Sequence, residues 1–250
     1  MDEILKGRPV ALQVLDYGLF RVHANGRVIG ISGFLVTTDV GERVLIDGGF
    51  PAKYATDPAA AAAEDRLGAF GEVLDCRPVH RPEAQLALCG VAPEEITLLI
   101  QTHTHIDHVG AMEDFPQAPM LIAAAERALP RPLYWGDVQP LDWPARDTMT
   151  LDADLLIGPG FDVILAPGHA PGQLAMLLEL PETGAVLLTS DAVSRPAEID
   201  EGFDTAPDPA QTRASAARLM ELARARDAMI IWGHCPAQWL KLKKAPDAYR

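Results

Sequence analysis

A chain of 250 residues with 48% hydrophobic and 22% charged side chains can bury a substantial core, and its length fits one large domain or two small ones. A formal net charge of −14 repels a phosphate backbone and speaks against nucleic acid as a partner, and three scattered cysteines are too few for a disulfide framework. No uninterrupted apolar run approaches the ~18 to 20 residues of a membrane span, and the acidic start at Asp2 and Glu3 is not followed by an apolar core, so no membrane segment and no secretory signal are expected and a cytoplasmic location is the default.

Residues 10–16 read as a first strand, and residues 28–31 and 33–38 as extended chain after the Asn25-Gly26 turn. A short buried strand at 43–46 ends in Asp47-Gly48-Gly49. An acid and two glycines there make either a plain hairpin turn or a tight turn that lets Asp47 reach a neighbouring site. Residues 51–95 change character: an alanine-rich helix over 59–67, a second over 82–89 stopped by Gly90, and a short turn from Pro93 suggest a helical insertion between two strands. A helix is expected to begin at 111–114, followed by a strand at 119–122 and a helix over 123–129. Residues 130–150 combine prolines with Tyr134, Trp135 and Trp143 and read as a long ordered loop, packing on itself or walling a substrate. Strands follow at 161–166, 174–180 and 185–189, then an amphipathic helix over 209–226 and a last strand at 228–232.

The densest chemistry lies in Gln101-Thr102-His103-Thr104-His105-Ile106-Asp107-His108-Val109-Gly110, directly after the apolar run 96–100. Three imidazoles and a carboxylate in six positions can converge from one loop on a borderline metal such as Zn²⁺. His169 in Pro-Gly-His, Asp191 in Ser-Asp and His234 in Gly-His each lie just beyond another short apolar strand. A lone Gly-His at a strand end is more often a turn than a ligand. Together the set holds five histidines and two aspartates, enough for two metal ions. Cys235 follows His234 and, pointing the other way along an extended chain, is expected to be a buried structural thiol rather than a ligand.

The order His103-x-His105-x-Asp107-His108, His169, Asp191, His234 resembles the dinuclear ligand set of the metallo-β-lactamase superfamily, from the Ile46-Asp47-Gly48-Gly49 strand end onward. Within it the phrase 102–110, the helical stretch before Gly90 and the 22-residue gap from His169 to Asp191 are most similar to the N-acyl-homoserine lactonase group. The resemblance implies an α/β fold, an αββα sandwich of two mixed sheets flanked by helices, filling residues 1–250 as one domain. It implies His103, His105 and His169 on a first metal, Asp107, His108 and His234 on a second, and Asp191 bridging them. Two Zn²⁺ per chain are implied, with Fe, Mn or Co as substitutes. The activity implied is the opening of a lactone or related ester by a metal-activated hydroxide, with Asp107 shuttling the proton to the leaving oxygen. Ser194 stands where the group commonly carries a carbonyl-polarising tyrosine, so it is a candidate donor, with Tyr54 and Tyr134 as substitutes on covering loops. Cys235 stands where an acid is common.

A glyoxalase II-like thioesterase shares the ligand set and is the alternative hydrolase. A mononuclear iron oxidoreductase resembling persulfide dioxygenases is the alternative from another class, since His and carboxylate also hold Fe(II). The expected partner is a small-molecule lactone or ester, with no nucleic acid and no membrane; a monomer and a homodimer both stay open.

Overall fold

The computed structural model describes residues 4–250. A long antiparallel hairpin comes first, β1 (Pro9–Val22) and β2 (Val28–Thr38). Strand β1 runs past the expected 10–16 because its alternation is reset by a register shift between Asp16 and Leu19. At that shift Gly18 has φ +112°, and a Cβ there would lie 1.9 Å from the carbonyl oxygen of Asp75. Only glycine permits that approach. Strand β3 (Arg43–Ile46) pairs with β2 and is followed by α1 (Ala52–Thr56) and α2 (Pro58–Glu64), the latter capped by Asp57, which accepts from Ala60 N–H at 3.0 Å. Then come β4 (Gly71–Asp75), α3 (Pro82–Leu88), β5 (Leu98–Ile100), β6 (Met120–Ala123), α4 (Ala124–Arg127) and β7 (Thr148–Leu151). These strands form a seven-stranded mixed sheet in the order β4-β1-β2-β3-β5-β6-β7.

The second sheet is built from β8 (Leu155–Gly158), β9 (Phe161–Leu165), β10 (Leu174–Leu180), β11 (Gly184–Leu188) and β12 (Met229–Ile231), in the order β12-β11-β10-β9-β8. Only β11 and β12 are parallel within it, joined through α5 (Ala197–Glu201) and α6 (Pro209–Ala225). The short helix α7 (Pro236–Trp239) follows β12.

Alternation along the strands sorts the core into layers. Val44 and Ile46 of β3 join Val163 of β9, Met176 of β10 and Val186 of β11 in the apolar layer between the sheets. The intervening Leu45 faces outward with Tyr17, Tyr54, Leu86 and Leu99, under the helices of residues 51–95. On the second sheet Ile164, Leu177 and Leu187 pack outward against Leu219 and Ala223 of α6. Helices therefore cover the outer face of each sheet, giving an αββα sandwich.

One expected element is absent. Residues 111–114 do not start a helix; a single 3-10 turn spans Val109–Ala111. The backbone there is claimed by tertiary partners. Gly110 N–H donates to the Gly49 carbonyl at 2.8 Å, and Arg146 donates to the carbonyls of Met112 and Asp114 at 2.9 and 3.1 Å, leaving no i to i−4 ladder.

Candidate metal centre

The ends of β3, β5, β9, β11 and β12 meet at one rim. Beyond β5 the chain enters the 101–108 loop, in which Gln101, Thr102, His103 and Thr104 are fully buried. Nitrogen atoms of His103, His105 and His169 lie close enough together to hold one ion, and donors of Asp107, His108 and His234 form a second such group. His105 Nδ1 is 2.9 Å from His169 Nε2, and Asp107 Oδ2 is 3.4 Å from His234 Nε2. Asp191 spans the two. Its Oδ2 lies 3.4 Å from His169 Nε2, while its Oδ1 lies 3.2 Å from His234 Nε2 and 3.6 Å from His108 Nε2.

The rings are held from behind. Asp47, at the end of β3 with φ +58°, accepts from Thr102 N–H at 2.9 Å and from the Thr102 hydroxyl at 2.7 Å. Its Oδ2 also receives His108 Nδ1 at 2.8 Å. Asp47 thus reaches the site as well as turning the chain. The carbonyl of Gly30 takes His234 Nδ1 at 3.0 Å. Both contacts keep the proton on Nδ1 and turn Nε2 inward, the atom left to meet a cation once its own proton is displaced. Ser190, strained at φ +45°, donates its hydroxyl to Thr102 Oγ1 at 3.0 Å and ties the Asp191 turn to the 101–108 loop.

The donor set fits a cation by a direct observation. His103 Nε2, His108 Nε2, His234 Nε2 and Asp191 Oδ1 are buried without a hydrogen-bond partner. Four such orphans in one pocket are expensive unless something positive sits among them. The electrostatics agree. Burial and the neighbouring imidazoles push His103 well below its ordinary range, and burial followed by His169 pushes His105 down to about 3. Burial works against charge on His108 and His234 too, but the carboxylates of Asp107, Asp47 and Asp191 override it and hold His108 up at about 10; Asp191 and Asp107 hold His234 at about 9. Burial opposes ionisation of Asp191 as well, yet His234 and His108 keep it well below the usual carboxylate range. The three histidines of the first group are thus neutral and ready to ligate, whereas on the other side the carboxylates that draw protons onto His108 and His234 would equally attract a divalent cation, which would take the protons' place.

Other sequence candidates separate. Ser194 is half-buried at the rim, and its carbonyl accepts His234 N–H at 2.9 Å, so its backbone steadies that ring. Tyr54 and Tyr134 are buried and commit their hydroxyls to Asp65, at 2.8 and 2.6 Å, so neither is free to meet a substrate carbonyl. Tyr134 serves the site through its backbone, which pairs with Thr104 and Ile106 on either side of His105. Cys235 is half-buried rather than buried, and lies outside the donor groups. Trp135 packs tilted against Phe70, ring centroids 4.6 Å apart, so this part of the long loop packs on the covering helices' side. Sequence carries no signal for the roles of Thr102, Ser190 and Glu126: Thr102 and Ser190 adjoin His103 and Asp191 but act through pairings with distant loops, and Glu126 reaches the site only through Thr104 and Gly172.

The model of the metallo-beta-lactamase superfamily matches residues 26–234. The chain belongs to this superfamily. A protein of Azorhizobium caulinodans named N-acyl homoserine lactonase AttM is 32% identical, with 88% of each chain covered. A protein of Bacillus thuringiensis subsp. kurstaki named N-acyl homoserine lactonase AiiA is 28% identical over 58% of each chain. A solved N-acyl homoserine lactone hydrolase with the product N-hexanoyl-L-homoserine at its catalytic metal centre superposes with a TM-score of 0.83 at 22% identity, covering 98% of this chain and all of that one (100%), a likeness of fold. Membership in the superfamily and the converging His and Asp donors together point to a divalent metal at this rim.

Proposed function

We propose that this chain is a metal-dependent hydrolase that opens a lactone ring, that of an N-acyl-homoserine lactone or a related ester, with two Zn²⁺ ions at the rim. The observation that carries the reading is the Asp191 carboxylate, one oxygen toward His169 and the other toward His108 and His234. The lactonase relatives support the substrate class. In this reading His103, His105 and His169 would hold one ion, Asp107, His108 and His234 the other, with Asp191 placed to serve both. Divalent ions bound there would supply Lewis-acid polarisation of an ester carbonyl and would acidify the attacking water.

The chain's residues do the rest. Asp107 has a side chain 17% exposed against 8% for Asp191, which makes it the carboxylate more open to the substrate side, placed to take a proton from the attacking water and pass it to the leaving alkoxide. Asp47 and the Gly30 carbonyl hold the His108 and His234 rings still while charge develops. The Ser194 hydroxyl makes no hydrogen bond among the described residues, which supports it as a donor to the substrate carbonyl. The free cysteines suit a reducing compartment and support a cytoplasmic location.

The complete second group, Asp107, His108 and His234, favours two metals over a single iron. The test is a panel of lactones, esters and thioesters on metal-quantified protein. Lactone turnover that tracks two metals per chain is expected, with homoserine lactones of long acyl chain turned over poorly while serine occupies position 194. One iron per chain with oxygen uptake on glutathione persulfide would overturn the reading.

A further inference from the structure

Glu126, in α4, is fully buried, and a carboxylate withdrawn from water costs several kcal/mol unless its oxygens are satisfied. Its partners are not cations. Oε1 accepts the Thr104 backbone N–H at 2.8 Å and the Thr104 hydroxyl at 2.6 Å, and Oε2 accepts the Gly172 N–H at 3.1 Å. Thr104 is the residue between His103 and His105. Gly172 closes the turn that carries His169. One side chain therefore grips both loops that present the three-histidine group, and none of its hydrogen bonds goes to Asp107, His108 or His234.

The surroundings are built for that grip. A Cβ at Gly172 would fall 2.4 Å from Glu126 Cβ and 2.7 Å from its backbone nitrogen, so the His169 loop lies directly on α4. Thr104 Oγ1, while donating to Glu126, accepts Leu133 N–H at 2.9 Å, and Thr104 O accepts Tyr134 N–H at 2.8 Å. The threonine is held on every polar atom, which fixes the direction of the histidines beside it.

We propose that Glu126 is a positioning residue that sets the spacing between His103, His105 and His169 and so tunes the metal affinity of that half of the centre. The inference rests on the ligand assignment above. It requires a carboxylate, because three donors converge on two oxygens. Glutamine offers one acceptor oxygen and turns an NH₂ group toward a donor.

The test is metal binding by the full chain, stripped of metal and titrated with Zn²⁺ against a chromophoric chelator, without substrate. Wild type is expected to take two ions. Glu126→Gln should keep one site at wild-type affinity and weaken the other roughly 10–100-fold, the usual effect of losing a group that orients a ligand. Thr104→Val, which keeps the shape and the backbone N–H, should weaken the same site by less, and it carries the test if Glu126→Gln does not fold. A purely structural carboxylate would lower the melting temperature of the metal-free protein without splitting the two affinities. Two wild-type affinities in both variants, or equal weakening of both sites, overturn the positioning role alone. A wild-type chain that binds no Zn²⁺ overturns the ligand assignment, and this inference with it.

Discussion

Asp191 presents its two oxygens to different histidines, and a side chain without oxygens there cannot serve both donor groups. Asp191→Ala should therefore lose metal as well as activity; elemental analysis finding two metals per chain in the variant would refute the bridging role. Asp47 offers a finer test. It holds the left-handed backbone that asparagine also tolerates, so Asp47→Asn leaves the turn in place but removes the charge facing His108 Nδ1 and one acceptor for Thr102. Metal affinity should fall about 10–100-fold, read by chelator competition, and an unchanged affinity would contradict a role in orienting His108. The seven donors were legible in the sequence because four crowd one loop and three stand at strand ends. Glu126 was not, because a carboxylate in the run Ala123-Ala124-Ala125-Glu126-Arg127 reads like any solvated helix position. The hydroxyls of Tyr54 and Tyr134 could not be assigned either, since nothing local announces that Asp65 lies between them.

At the scale of elements, the strands that face apolar layers on both sides were the ones read from sequence, among them β3, β9, β10 and β11. The ones missed are β4, β7 and β8, short and at or beside sheet edges, where one face is half exposed and the apolar pattern fades. The helix expected after His108 failed for another reason. Its backbone partners come from far along the chain, above all Arg146, whose Nη2 also reaches the Phe115 carbonyl at 2.6 Å and that of Ala118. One guanidinium thus satisfies four carbonyls of the segment that leaves the metal loop. Arg146→Ala should cost about 3 kcal/mol, lowering the melting temperature by roughly 6–12 °C for a chain of this size. Limited proteolysis should then cut first within 112–118. Cleavage unchanged in rate and position would mean the segment is held by its apolar contacts alone.

Across the whole molecule, the centre belongs to neither sheet. His103, His105, Asp107 and His108 leave the seven-stranded sheet after β5, whereas His169, Asp191 and His234 leave the five-stranded sheet after β9, β11 and β12. The two stacked sheets were foreseeable from the resemblance that the ligand order carries; the strand order was not legible in the strands themselves, because β3 and β5 pair across the whole of residues 51–95. Ions bound between the sheets as proposed would bind the folded chain and not the unfolded one, and so would act as staples as well as reagents. Protein–protein contact at the rim does not replace them, since His103, His108 and His234 each point a partnerless nitrogen into the gap. At free metal a hundredfold above the dissociation constant each site adds about 2.7 kcal/mol, and a chain of this length gains about 2–4 °C per kcal/mol, so two sites correspond to roughly 10–20 °C. Thermal melts with and without a strong chelator measure this directly. A melting temperature that falls on chelation and recovers with Zn²⁺ is the expected result, and a fall of half that size points to one occupied site. Identical melts for metal-loaded and chelated protein would mean that the two sheets hold together by their apolar layer alone and that the histidine rim is not a structural joint.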